Sequence, residues 1–159
     1  MGKTKKKKPS GGDYGFNRQA NFRYELLDRL ECGIVLSGTE VKALRTVGCQ
    51  MGDAYVDIRR GELWLHNLRI DPYAPAAMNN HQPDRTRKLL AHRGEIDKLV
   101  GQAQQQGLTF IATRVYPKGR RIKVEIALAR GKNVADKRQD IKQRDMNREM
   151  QRAVREANR

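Results

Sequence analysis

The chain has little of what marks a secreted, membrane-spanning or catalytic protein. Its two cysteines, Cys32 and Cys49, make neither a disulfide framework nor a CxxC metal site, and their spacing matches no zinc pattern. Both are expected as free thiols. No run of roughly 18 apolar residues exists to span a membrane, and no apolar stretch follows the N-terminal lysines to make a signal peptide. The expected compartment is the cytoplasm. His66, His81 and His92 form no HxH or HxxxH pair, so no metal is expected. GxSxG, HExxH, a P-loop and a Cys/His pair at a known spacing are all missing. Gly131-Lys132 matches only the end of a P-loop, without the earlier glycine or the following Ser or Thr. The expectation is binding without catalysis and without a cofactor.

Acidic residues are scarce as well: 18 Asp plus Glu face 33 Lys plus Arg, a formal charge of +15. Such a surplus repels itself, and it persists most readily beside a polyanion. Nucleic acid is the usual one, because each neutralised phosphate releases a counterion. An anionic membrane surface would ask for a basic helix with a large apolar face, and no segment offers one.

At 159 residues the chain has the length of one domain, but its two ends are too polar to join a core. Residues 1–13, which include KTKKKKPSGG, read as a disordered basic extension. Residues 131–159 read as a basic tail, leaving 14–130 as a domain of about 110 residues.

Within that domain the periodicity is mostly two. AYVDIRRGELWLHNLRI alternates Ala54, Val56 and Ile58 against polar neighbours, breaks at Arg60-Gly61, and alternates again through Leu63 and Leu65, which predicts a hairpin. LTFIATRVY, the turn PKGR, and Ile122, Val124, Ile126 and Leu128 predict a second. ECGIVLS and TRKLLA read as further strands, and YELLDRL fits helix or strand equally. TEVKALRTVG reads as a short helix with Thr39 as N-cap, and EIDKLVGQAQQQG as one stopped by Gly107. The prolines of residues 72–84 mark a flexible surface loop. About six strands with two or three short helices predict a mostly β protein, an antiparallel barrel of the oligonucleotide-binding type.

The tail carries Arg144, Arg148, Arg152, Arg155 and Arg159 at helical spacing, a row of guanidinium groups suited to a phosphate backbone. Its apolar residues are sparse, so the expectation is a segment disordered when free and helical when docked on RNA. Glu31 has two open roles in so basic a chain: a salt bridge, or an acceptor for a base edge. Phe16, Phe22 and Tyr24 are candidates to stack on bases or to fill the core. A ribosomal or initiation-type protein of the same barrel class satisfies these observations equally.

Four segments go further: NRQANFRY at 17–24, ECGIVLSGTEVKALR at 31–45, RTRKLL at 85–90 and GKNVADKR at 131–138. In this order and spacing the chain resembles the small protein B family, the SsrA-RNA-binding proteins of bacterial trans-translation. The resemblance implies a closed six-stranded antiparallel barrel. It also implies binding to the tRNA-like end of transfer-messenger RNA (tmRNA), delivered with GTP-bound elongation factor Tu to stalled ribosomes, with no membrane and the protein as a monomer. Carried over by position, Asn17, Tyr24, Glu31, Leu90 and Lys123 fall at RNA-binding sites, with Arg87 and Lys88 as phosphate contacts. Gly131, Lys132, Asp136, Lys137 and Arg138 match a motif that engages the decoding site, and Arg144, Arg148 and Arg152 follow it as a helix into the message channel. Asn133 and Ala135 replace a usual lysine and a usual aromatic or histidine, and Asn21, Phe22 and Arg23 replace an Arg-His-acid run. Within the motif, Gly131 is expected to free the chain from the last strand and Asp136 to cap the tail helix.

Overall fold

In the computed structural model, residues 12–157 are described. The first eleven residues of the basic extension, and Arg159 of the arginine row, lie outside them. The described residues form seven strands: β1 (Gly15–Phe16), β2 (Tyr24–Ile34), β3 (Tyr55–Arg59), β4 (Glu62–His66), β5 (Arg87–Leu90), β6 (Thr109–Lys118) and β7 (Arg121–Gly131). All pairings are antiparallel. The order β6-β3-β4-β5-β2-β7 closes on itself because β7 also pairs with β6, and β1 lies beside β6 as a seventh strand. The long β2 and β6 change register at Leu26/Arg29 and Ala112/Arg114. Such irregularities add local twist and bend, which a sheet needs in order to curl round.

Both hairpins form where the alternation placed them. Tyr55–Arg59 faces Glu62–His66 across Arg60-Gly61, with Arg60 itself at φ 52°. In the second, Lys118 pairs with Arg121, so the reversal falls on Gly119-Arg120 and Pro117 belongs to the strand. The inward residues of every ring strand meet in one core, with Leu63, Leu65, Val124 and Ile126 at 1% exposure or less. Fully burying side chains of this size stabilises by roughly 1.5–3 kcal/mol each. YELLDRL resolves to strand: Leu30 and then Cys32 pair with the core residues Ile126 and Val124 of β7, and Leu26 pairs with Ala129 in a small separate cluster with Ala20 and Ile111.

Among the described residues four α-helices accompany the ring instead of two or three: α1 (Ala20–Arg23), α2 (Gly38–Thr46), α3 (Arg93–Gln106) and α4 (Val134–Ala157), and α4 is not short. The start of α2 corrects an expectation. Its N-cap is Ser37, not Thr39: Ser37 Oγ accepts from the Glu40 N–H, and the Glu40 carboxylate accepts from the Ser37 N–H, a reciprocal capping box. Helix α3 buries Ile96 and Leu99 and ends at Gly107 in the left-handed region, as its spacing predicted. Loop 72–84 contains a short 3-10 turn, Ala74–Ala76, and its own ties: Asn80 bonds both ways with the Tyr73 backbone. His81 bridges Thr39 Oγ1 and the Ile70 carbonyl, each at 3.0 Å.

Candidate nucleic-acid interface

Three of the expected site residues come together on the outside of the ring because of strand register. Gly33 of β2 faces Leu90 on one side and Lys123 on the other, and Glu31 lies two residues back on the same face. With Leu30, Ala91, His92 and Glu95 they line an open cleft of ≈ 420 Å³. Leu90 is 52% exposed at its rim, an apolar surface beside the cationic Lys123.

Glu31 is already paired. Lys118 Nζ donates to both its oxygens at 2.8 and 3.1 Å, and the Tyr116 hydroxyl donates to Oε2. Those two hydrogen bonds, from Lys118 first and Tyr116 second, hold its carboxyl below the usual glutamate range. Tyr116 moves the other way, pushed up to about 12 by burial and by its bond to Glu31. The Arg114 guanidinium covers the Tyr116 ring at 4.4 Å. The salt-bridge role of Glu31 is thus the one the free protein adopts. Tyr116 and Lys118 were not singled out from the sequence, although their alternation along β6 puts them on one face.

Asn17 and Tyr24 belong to a second, smaller cleft of ≈ 240 Å³, shared with Arg23, Asp53, Tyr55 and Thr109. Asn17 is nearly buried: its Nδ2 donates to the Ala112 carbonyl and its Oδ1 accepts from the Gln19 N–H. It holds the turn into α1. Tyr24 packs against the small cluster of Ala20, Ile111 and Ala129. Arg23 pairs with Asp53 at 2.9 Å.

Arg87 is in the wrong place for a phosphate. Its side chain is 0% exposed, because in β5 it is Arg87 and Leu89 that face inward and Lys88 and Leu90 outward. Its Nε donates to Glu40 at 2.8 Å, and its remaining donors reach the carbonyls of Leu68, Arg85 and Pro83. Arg85 adds a second pair to Glu40 at 2.7 Å. Burial alone would push the Glu40 carboxyl up, but the bonds from Arg85 and the Ser37 N–H, with the charge of Arg87, hold it at about 2. This buried cluster fastens α2 to β5, and the capping box at residues 37–40 was its only trace in the sequence. Lys88, on the outer face, pairs with Glu62 at 2.5 Å.

The tail motif builds a junction. Gly131 still pairs with Tyr24 at the end of β7, and a side chain there would meet open space, so neither a tight approach nor a positive φ accounts for the glycine. The Lys132 N–H bonds the Arg23 carbonyl at 3.0 Å, while its ammonium reaches the Asn21 carbonyl at 2.8 Å and Asp140 at 2.5 Å. Asp136 in the first turn of α4 accepts from the Asn133 N–H at 3.4 Å, which is the capping expected of it. Arg144 lies 5.3 Å over the Phe22 ring. Beyond these contacts α4 buries nothing: Arg138, Arg148 and Arg152 are exposed, and so are Met146, Met150 and Val154.

No helix among the described residues is long and apolar enough to cross a membrane, and they hold no cluster of metal-ligating side chains. The sequence matches the family model described as SmpB protein over residues 15–156. An SsrA-binding protein of Thermosynechococcus vestitus is 50% identical over 88% of this chain and 93% of its own length. Another, from Oleidesulfovibrio alaskensis, is 48% identical over 95% and 97%. A chain of a solved structure described as tmRNA-SmpB on a journey to the centre of the bacterial ribosome shares 42% identity and a TM-score of 0.63, covering 75% of this chain and 84% of that one. With a family model spanning nearly all of the described residues and relatives this similar over most of both lengths, the chain belongs to the SmpB protein family.

Proposed function

We propose that the chain is an SsrA-binding protein: it binds the tRNA-like domain of tmRNA and carries it to stalled ribosomes for trans-translation. Identity of about half over nearly the whole length of SsrA-binding proteins carries this reading, and the clustering of Glu31, Leu90 and Lys123 in one cleft supports it. The six-strand ring acts as a barrel of the oligonucleotide-binding kind, with residues 14–130 as the RNA-binding domain and 131–159 as the ribosome-directed tail. Leu90 offers an apolar seat for a base or ribose, and Lys123 and Lys88 meet phosphates. On binding, Glu31 exchanges one of its bonds from Lys118 and Tyr116 for a donor on a base edge, and the released Lys118 turns to the backbone. Asn17 and Tyr24 shape the second cleft, at the other end of the β2/β7 ladder. The Gly131-Lys132 junction, Asp136, Lys137 and Arg138 lie at the decoding site, with Arg144, Arg148 and Arg152 along the message channel. Elongation factor Tu with GTP joins through the aminoacylated RNA, and one copy of the chain acts per RNA. The chemistry is recognition rather than turnover.

A gel shift at moderate salt tests the reading. The chain is expected to bind the tRNA-like domain of tmRNA at least tenfold more tightly than an unrelated tRNA; equal affinities would return it to the ribosomal or initiation-type alternative. Glu31→Ala is expected to weaken the tmRNA complex by about 1–3 kcal/mol, the worth of a base-edge contact. An unchanged affinity would confine Glu31 to its salt bridge with Lys118.

A further inference from the structure

We infer that the outer face of the β3–β4 hairpin is a separate binding site for an unpaired RNA nucleotide, with Trp64 as the stacking surface and Arg59 and Arg60 as its phosphate contacts. Trp64 is the chain's only tryptophan. While its neighbours Leu63 and Leu65 point into the core, it stands half-buried on the outer face of β4. Asp57 faces it across β3 and Lys88 across β5. Arg59, Arg60, Glu62, Trp64 and Thr86 line an open cleft of ≈ 540 Å³, within the range of sites that hold small molecules (roughly 300–1,000 Å³). Its lining is a ring with cations at one end, the combination that holds a base by its face and a phosphate by its charge.

The carboxylates here are already engaged, Asp57 by Arg59 Nε at 2.7 Å and Glu62 by Lys88 at 2.5 Å. The NH₂ groups of Arg59 keep their donors, and the exposed Arg60 has no ion pair among the described residues. Arg60 also occupies a positive φ of 52°, unusual for a residue that is not Gly, Asn or Asp, at the tip of the hairpin. The ledge does not end at Trp64. His66, two residues on along the same face, stacks on Tyr55 at 5.0 Å, and Tyr55 borders the Asn17/Tyr24 cleft. No residue that lines this cleft lines the Glu31 cleft, and Lys88, which stands beside Trp64 and pairs with Glu62, is the one residue the two readings share.

Because Trp64 is the sole indole, its emission reports this cleft. Titrating the full chain with a short oligouridylate, which cannot base-pair with itself, is expected to quench that emission saturably. The logarithm of affinity should fall with that of salt at a slope of about −0.7 to −1.4, the release from one or two phosphates. Arg60→Ala is expected to weaken the quenching titration at least fivefold, while Lys123→Ala, in the other cleft, leaves it unchanged. Trp64→Phe, checked for folding by its circular dichroism, is expected to bind the same oligomer more weakly in a filter assay. The absence of quenching by the oligomer would overturn the site and leave the patch to a protein partner. Quenching that Lys123→Ala abolishes and Arg60→Ala spares would overturn it too, by assigning the signal to the Glu31 cleft.

Discussion

Glu40→Ala is expected to lower unfolding stability by about 3–5 kcal/mol, a large share of the roughly 5–15 kcal/mol that holds a domain together. The carboxylate lies fully buried between Arg85 and Arg87 and closes the capping box of α2. Its removal leaves the Arg87 charge in the interior with no counter-charge except backbone carbonyls. Urea unfolding should show the loss as a lower midpoint with an unchanged slope. The double change Glu40→Leu with Arg87→Met is expected to cost less than Glu40→Ala, because it strands no buried charge; a double change that costs as much would put the effect on helix capping alone. The same pair gives a pH signature. The Glu40 carboxyl sits at about 2 in the fold against an ordinary 4.5, so its contribution is complete above 4.5 and is lost as pH falls towards 2. The difference corresponds to about 3 kcal/mol. In Glu40→Gln that part of the acid destabilisation should disappear, which stability measured across this window will show.

Removing residues 134–159 is expected to leave folding and tmRNA binding largely intact and to abolish peptide tagging on stalled ribosomes. Helix α4 buries no residue, and its ties to the rest of the fold are the Lys132 bonds and the Arg144–Phe22 contact, both made to α1. The cut must spare Gly131 and Lys132, which complete the β7 ladder and bond to Arg23. Gel shift and a tagging assay on the same protein separate the two activities, and joint loss would make the tail part of the primary RNA site. The arginine row should show at the second step only: Arg148→Ala with Arg152→Ala is expected to reduce tagging several-fold with tmRNA affinity unchanged.

Much of this was legible in the chain. Alternation located both hairpins, and the i, i+3, i+4 spacing of Ile96, Leu99, Val100 and Ala103 located α3, because each pattern expresses one side buried in one core. Side of burial was harder to read in β5. RKLL alternates a basic and an apolar residue on each face, so Arg87 and Lys88 are indistinguishable until Glu40 arrives from α2 to neutralise the inward one. For Glu31 the family position was clear, but its partners Tyr116 and Lys118 sit more than eighty residues away. Only the closure of the ring, which puts β6 and β2 on either side of β7, makes that pairing visible.

The sparse anchoring of α4 gives it a mechanical character. A helix of 24 residues reaches about 36 Å, and its ties to α1 lie in its first half, with Arg144 over Phe22 the last of them. It behaves as a lever with its fulcrum at Lys132: a rotation of about 10° there carries the far tip through about 6 Å. Small adjustments where the strand ends thus become displacements on the scale of a nucleotide at the distal arginines, and the stiffness of one lysine and one ring contact sets how accurately that arm is aimed.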